Sequence, residues 1–195
     1  MSTVERDKKW GAVVEHQWAA WLKARIPDVE VTHAPDLKHP AWDMYTTVPT
    51  GRRRYYEVKW DASAQAPWKD YRGNKRDATG NVFIEYENPY RNEKSGIEAS
   101  DAHYWVYVMK MAYELVGMEQ VQKYKVQALV LDKELLKSFT ADGNYRVVDT
   151  KRDSKGGQPN ARGKLVPISD ILSNKEASGL RMKVDFTEYL RPLFL

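Results

Sequence analysis

The segment 41–60, "AWDMYTTVPTGRRRYYEVKW", constrains this chain more than any other. Two runs of β-forming residues, 41–48 and 53–60, flank Pro49-Thr50-Gly51. Proline favours the first corner of a type I turn, and glycine supplies the left-handed residue that closes a three-residue hairpin loop. That loop sets the pairing: Val48 faces Arg52, and counting inward brings Asp43 opposite Glu57. Directly opposed residues share a sheet face, so Asp43, Glu57 and Lys59 are expected on one patch. A one-residue slip would send them to opposite faces.

Elsewhere the chain reads as one α/β (α+β) domain, with a core over about 8–132 and a C-terminal extension over about 133–195. Trp10, Val14, Trp18, Trp21 and Leu22 recur at helical spacing within 8–25, and Pro27-Asp28 stops that helix. Strands are expected at 29–33, 82–87, 103–110, 125–132 and 145–150, with a short helix at 133–139. The polar stretch after Trp60, through residue 81, reads as a mobile loop. The Gly-containing stretch 151–164 reads as a second loop, and the tail as an amphipathic end at "DFTEYLRPLFL". A helix, several strands and then mixed elements imply a mixed β-sheet flanked by helices.

Composition narrows the chemistry. There is no cysteine, so disulfides and thiolate metal sites are excluded and any metal needs oxygen or imidazole ligands. The four histidines show no metal-ligand spacing and read as structural or surface residues. A mean hydropathy of −0.69 and the lack of a long apolar run point to a chain without membrane spans, and an N-terminus with no apolar run points to the cytoplasm. The balance of 31 Lys+Arg against 27 Asp+Glu permits nucleic-acid binding without requiring it. Seven Trp and twelve Tyr against four Phe favour rings that stack on bases as well as fill core edges. No phosphate-binding glycine loop is present, which argues against ATP hydrolysis.

Taken alone, Glu57 and Lys59 read equally as a charge pair on a wet strand. Asp43 on the preceding strand adds the second carboxylate that Mg²⁺-assisted phosphodiester hydrolysis requires. A lysine beside the carboxylates can orient the attacking water or offset charge on the phosphate.

Asp43 in "PAWDMY", followed by "EVK" at 57–59, resembles the signature of the PD-(D/E)xK nuclease superfamily as found in phage and bacterial restriction-endonuclease-like members. The resemblance covers roughly residues 10–110. It departs from the usual pattern in lacking a proline directly before Asp43, the nearest being Pro40. It implies an αβββαβ core and a Mg²⁺-dependent deoxyribonuclease, with Mn²⁺ substituting, that leaves 5′-phosphate and 3′-hydroxyl ends. Asp43, Glu57 and the Val58 carbonyl would hold the metal, and Lys59 would act on the water. Glu15, on the first helix, matches the glutamate that often completes the site. Glu85, on the following strand, would support it, or would simply line a solvated edge with Glu87. Ser95 and Ser100 would touch phosphate, or would serve as turn and cap residues. DNA-binding cations are expected in three clusters: Arg52, Arg53 and Arg54; Lys69, Arg72, Lys75 and Arg76; and Lys151, Arg152, Lys155, Arg162 and Lys164. Each could equally be solvated charge. A homodimer that cuts both strands remains open, as does a non-catalytic nucleic-acid-binding module on the same fold.

Overall fold

The computed structural model describes residues 3–35, 41–65, 68–69, 74–111, 114–115, 122–123, 126–142, 144–151, 159–173 and 181–185. Helix α1 (Thr3–Arg25) leads into strands β1 (Glu30–His33), β2 (Met44–Thr47) and β3 (Arg53–Gln65). Then come β4 (Trp68–Lys69), β5 (Lys75–Arg76), β6 (Asn81–Asn88) and β7 (Glu93–Lys94), and a 3₁₀ turn at Gly96–Glu98. Strand β8 (Tyr104–Met111) is followed by β9 (Glu114–Leu115), β10 (Gln122–Lys123), β11 (Val126–Asp132) and α2 (Lys133–Asp142). The chain continues through β12 (Arg146–Lys151), β13 (Pro159–Pro167), α3 (Ile168–Ser173) and β14 (Arg181–Asp185).

The main sheet runs β1-β2-β3-β8-β11-β14, and a second sheet runs β12-β13-β6-β7. The protein is therefore a mixed α/β structure, and its main sheet is mixed: β3 and β8 are parallel while the other pairs are antiparallel. Parallel neighbours need a long crossover. Here it spans the residues between Gln65 and Tyr104 and carries β4–β7 and the 3₁₀ turn among its described residues. An αβββαβ core has a helix at that point. No membrane-spanning helix occurs among the described residues: none is long and apolar enough.

Two cores lie on the two faces of the main sheet. Val14, Trp18, Ala19, Trp21 and Leu22 of α1 pack on Tyr56 and Val58 of β3 and on Val106 and Val108 of β8, with Trp60 against their edge. The other face buries Trp105, Tyr107, Met109, Leu129 and Leu131 under Val82, Ile84, Leu136, Val166 and Ile171. Strands covered on both sides read as continuous apolar runs, which is why β8 and β11 lack alternation. The helix ends where Pro27 cannot continue it, and Asp28 turns the chain with φ +54°.

Three sequence expectations change. Residues 61–65 belong to β3 rather than to a loop, because Ala64 is fully buried and Gln65 pairs with Met111. The strand tolerates polar Asp61 through an irregularity there: its carboxylate accepts the N–H groups of Ser63 and Ala64, both at 2.9 Å, and the Ser63 hydroxyl at 2.8 Å. Residues 159–164 form the first part of β13 rather than a loop, since pairing to both β12 and β6 satisfies their backbone. The C-terminal third is no appendage: β13 is central in the second sheet and β14 extends the first. The tail sequence 186–195 lies outside the described residues.

Gly96 holds the turn into the 3₁₀ segment with φ +52°, and a Cβ there would lie 2.3 Å from the Glu85 carbonyl oxygen. Alanine must displace backbone as well as accept a left-handed conformation. Gly96→Ala is expected to cost on the order of 2–4 kcal/mol in urea unfolding, whereas Gly80→Ala, whose Cβ would meet open space, should cost less despite φ +68°.

Candidate active site

The hairpin closes as its turn residues require. Gly51 takes φ +79°, its N–H donates to Val48 O at 2.8 Å, and Val48 N–H donates to Arg52 O at 3.2 Å. Pairing then runs Thr47–Arg53, Thr46–Arg54, Tyr45–Tyr55 and Met44–Tyr56. This is the frame that puts Asp43 next in line with Glu57. The ladder stops one step short, however. Asp43 N–H donates to Tyr56 O at 2.9 Å, and the Asp43 carboxylate takes the Val58 N–H at 2.6 Å in place of a backbone partner. Asp43 thus sits in a bend just outside β2, held by both its backbone and its side chain.

On β3 the side chains alternate. Tyr56, Val58 and Trp60 face α1, so Glu57, Lys59 and Asp61 face the other way, beside Trp105 and Tyr107 on the parallel strand. Glu57 is buried and forms an ion pair with Lys59 through its Oε1. Lys59 keeps 43% of its side-chain exposure against 12% for Glu57, so the cation, not the carboxylate, is the more open to solvent. Its ammonium lies 5.6 Å from the centre of the Trp105 ring.

Charge couples this group across three elements. Burial raises the Glu15 pKa, the negative charge of Asp43 adds to that rise, Lys59 opposes it and Glu57 reinforces it; the result is about 7. Crowding by protein atoms works against the Lys59 charge. Glu57, Asp43, the hydrogen bond to Glu57 and the more distant Glu85 outweigh it, and hold the amine above the ordinary lysine range. Glu85 accepts a 2.6 Å hydrogen bond from the Ser95 hydroxyl. Tyr107, on β8 beside Lys59, is pushed well upward by burial and by the charges of Asp61, Glu57 and Glu85. It stays a neutral phenol and donates to Phe83 O at 3.1 Å. Asp61 shares the face but spends one carboxylate oxygen on its own turn.

The donors of this group bear on whether it fits a divalent cation. Among the described residues, no group of three or more His, Asp or Glu side chains is arranged to hold an ion. Mg²⁺ asks for less: one or two carboxylates, the remaining positions being filled by water and substrate oxygens. Asp43 and Glu57 flank Val58, whose C=O points to the same strand edge as the N–H that Asp43 accepts. Hard oxygen donors and a glutamate whose pKa is raised by burial and by its neighbours' negative charge suit such an ion.

The expected DNA contacts separate. Arg52, Arg53 and Arg54 are exposed and line a cleft of about 420 Å³ with His103, Lys133, Asp101 and Glu134. Lys75 and Arg76 are exposed on β5, and Lys69 and Lys151 are described by backbone only. Arg72, Arg152 and Lys155 lie outside the described residues. Arg162 is engaged by Asp149 at 2.8 Å and Glu87 at 3.2 Å, and Lys164 donates to the Thr140 carbonyl at the end of α2. Ser100 is buried, donates to Ala41 O at 2.9 Å and accepts Ala102 N–H at 3.1 Å, so it braces the approach to Asp43. The partners of Arg162 and Lys164 are internal and meet them only when β13 pairs, which a loop over 151–164 would not provide.

Compared with known proteins, the chain matches no protein-family model, no curated protein and no solved structure.

The Glu15 shift has a signed consequence for the metal-free protein. Between the ordinary 4.5 and about 7, the folded state keeps a proton that the unfolded chain releases, so this group's contribution to stability falls as pH rises through that window. In chelator, Glu15→Gln should match wild type in Tm near about pH 4 and exceed it near about pH 8, where only wild type carries the repelled charge. Parallel thermal melts across that range check it.

Proposed function

We propose that this chain is a Mg²⁺-dependent deoxyribonuclease built on a restriction-endonuclease-like core, with Asp43, Glu57 and Lys59 at its centre. The observation that carries the reading is geometric: the Asp43 carboxylate takes the Val58 N–H at 2.6 Å, which sets it beside the Glu57–Lys59 ion pair, and the charges of Glu15 on the helix and Glu85 on β6 act on the same group. A charge pair confined to β3 would need none of the others. The hairpin register and the parallel partner for β3 also agree with the αβββαβ plan. The crossover differs, with strands and a 3₁₀ turn in the place of a helix.

Asp43 and Glu57, with the Val58 carbonyl, would hold the ion, Mn²⁺ serving in place of Mg²⁺. When bound it supplies a Lewis acid that lowers the pKa of water and offsets charge on the phosphate. The chain's own part is charge placement. The Val58 N–H fixes the Asp43 carboxylate, so that it does not reorganise when substrate arrives. Lys59 stays protonated across the working pH range and presents a cation, partly open to solvent, to a non-bridging phosphate oxygen. Glu15 would join the site through a second ion or through its water shell. Arg52–Arg54 are near enough along β3 to meet the flanking backbone. Hydrolysis would leave a 5′-phosphate and a 3′-hydroxyl.

A second reading, a non-catalytic nucleic-acid-binding module, draws on one specific observation: the Glu57–Lys59 ion pair and the Asp43–Val58 bond satisfy the cluster internally. A nicking assay on supercoiled plasmid separates them. Cleavage should require Mg²⁺ or Mn²⁺ and stop with chelator. Asp43→Ala and Lys59→Ala should each lose at least about 100-fold in rate while DNA binding in Ca²⁺ stays within a few-fold. Near wild-type cleavage by either variant would remove the site assignment, and binding without cleavage under any metal would favour the second reading.

A further inference from the structure

The sheet face that carries Glu57 and Lys59 continues toward the hairpin turn as a strip of rings and one cation. Tyr45 and Tyr55 are directly opposed across β2 and β3, with ring centres 5.4 Å apart. Trp42 props both, edge-on to Tyr45 at 5.3 Å and tilted against Tyr55 at 5.4 Å. His103 lies nearly parallel to Tyr55 at 5.5 Å, and its orientation is fixed because Nδ1 accepts the Tyr55 N–H at 3.0 Å. Arg53, next on the same face, sets its guanidinium 5.0 Å from the centre of the Tyr45 ring.

Tyr45, Tyr55 and His103 belong to neither buried core, while Trp42 packs against the one on this face. Tyr45 and Tyr55 are half-buried, while Arg53 and His103 are exposed. Helix α1 covers the opposite face of β3 and the second core covers this one farther along at Trp105 and Tyr107, while beside the turn Arg52, Arg53 and His103 are exposed. A tyrosine needed only for packing would more simply be a phenylalanine. Here the cluster is instead built of amphipathic rings and flanked by the three exposed arginines 52–54. Residues two apart on a strand are about 6.7 Å apart, roughly the reach of one nucleotide in an extended strand. Along one face of β3 the order is then cation at 53, ring platform at 55 and 45, carboxylates at 57 and 43, and cation at 59.

We propose that this strip binds unpaired DNA, so that substrate reaches the carboxylates as a single strand, whether a flap, an overhang or a free strand. The inference rests on the nuclease reading and specifies its substrate class. A ring can stack on a base only where the base face is uncovered, and in a duplex both faces are taken by neighbouring pairs. A ring platform in line with the carboxylates is therefore wasted on continuous duplex, which would offer the strip only backbone phosphates. Stacking on an unpaired base uses the rings, while Arg53 and its neighbours take the phosphates. Recognition of this type tolerates any base, so cleavage should show little sequence preference.

The test measures fluorescence anisotropy of the full chain in chelator, with a labelled oligothymidine of about twenty nucleotides and a duplex of equal length, at one stated salt concentration. Wild type is expected to bind the single strand at least about tenfold more tightly. Tyr45→Ala should weaken single-strand binding about tenfold and leave duplex binding unchanged, whereas Tyr45→Phe, which keeps the ring, should behave as wild type. Arg53→Ala, an exposed change that leaves the fold intact, should lower the salt slope by about one. Equal affinity for the two DNAs, or full single-strand binding by Tyr45→Ala, would overturn the inference while metal-dependent plasmid nicking still supported the nuclease reading. Absence of both binding and nicking would overturn the two together.

Discussion

The hydrogen bond from Val58 N–H to the Asp43 carboxylate fixes the candidate site. It stands where the β2–β3 ladder ends, and it replaces a backbone acceptor with a charged side chain. A charge-assisted bond of this kind is shorter and stronger than a neutral ladder bond. It ties the bend before β2 to the middle of β3 and so places two carboxylates on either side of one peptide. Ser100, buried behind the bend, holds Ala41 in turn. The backbone bond from Asp43 N–H to Tyr56 O holds the same bend, and the side-chain bond fixes the carboxylate within it.

Around this anchor the molecule gathers negative charge and only partly neutralises it. Lys59 pairs with Glu57 and feels Asp43 and Glu85, while Glu15 is left with a raised pKa. Structural ion pairs are usually balanced locally, because a buried excess of one sign is costly. An excess of negative charge held on β3 beside a partly exposed lysine accords with the proposed site for a cation and a polyanion. The second sheet contributes by carrying Glu85 on β6, whose charge acts on Lys59, and Tyr107 stands among these charges as a neutral, hydrogen-bonded phenol.

Local chemistry made much of this legible. The Pro-Thr-Gly turn specified the hairpin register, and the 3.6-residue spacing of Val14, Trp18 and Leu22 specified the helix and its buried face. Both rest on contacts within a few residues. The same reading failed for 61–65 and 159–164, where polar and glycine-bearing stretches became strands. Their backbones are satisfied by partners far away in the chain, and neither Asp61's self-made turn nor the tight fit of Gly163 against Ile84 has a periodic signature. Arg162 and Lys164 looked like free cations for the same reason, since their acceptors Asp149, Glu87 and Thr140 become neighbours only when β13 pairs.

By itself the sequence determined the hairpin, the first helix, the alternation that puts Glu57 and Lys59 on one face and the cysteine-free, oxygen-rich chemistry open to them. Each follows from the period of a strand or helix or from the conformational limits of proline and glycine. Only the tertiary structure decided that Asp43 leaves the ladder to bond Val58, that Glu15 and Glu85 feel the same charges, and that Tyr45, Tyr55, Trp42 and His103 meet as one platform. Those arrangements depend on which strands pair across long separations and on how charges sum in a crowded, low-dielectric space, and neither is encoded in any local pattern.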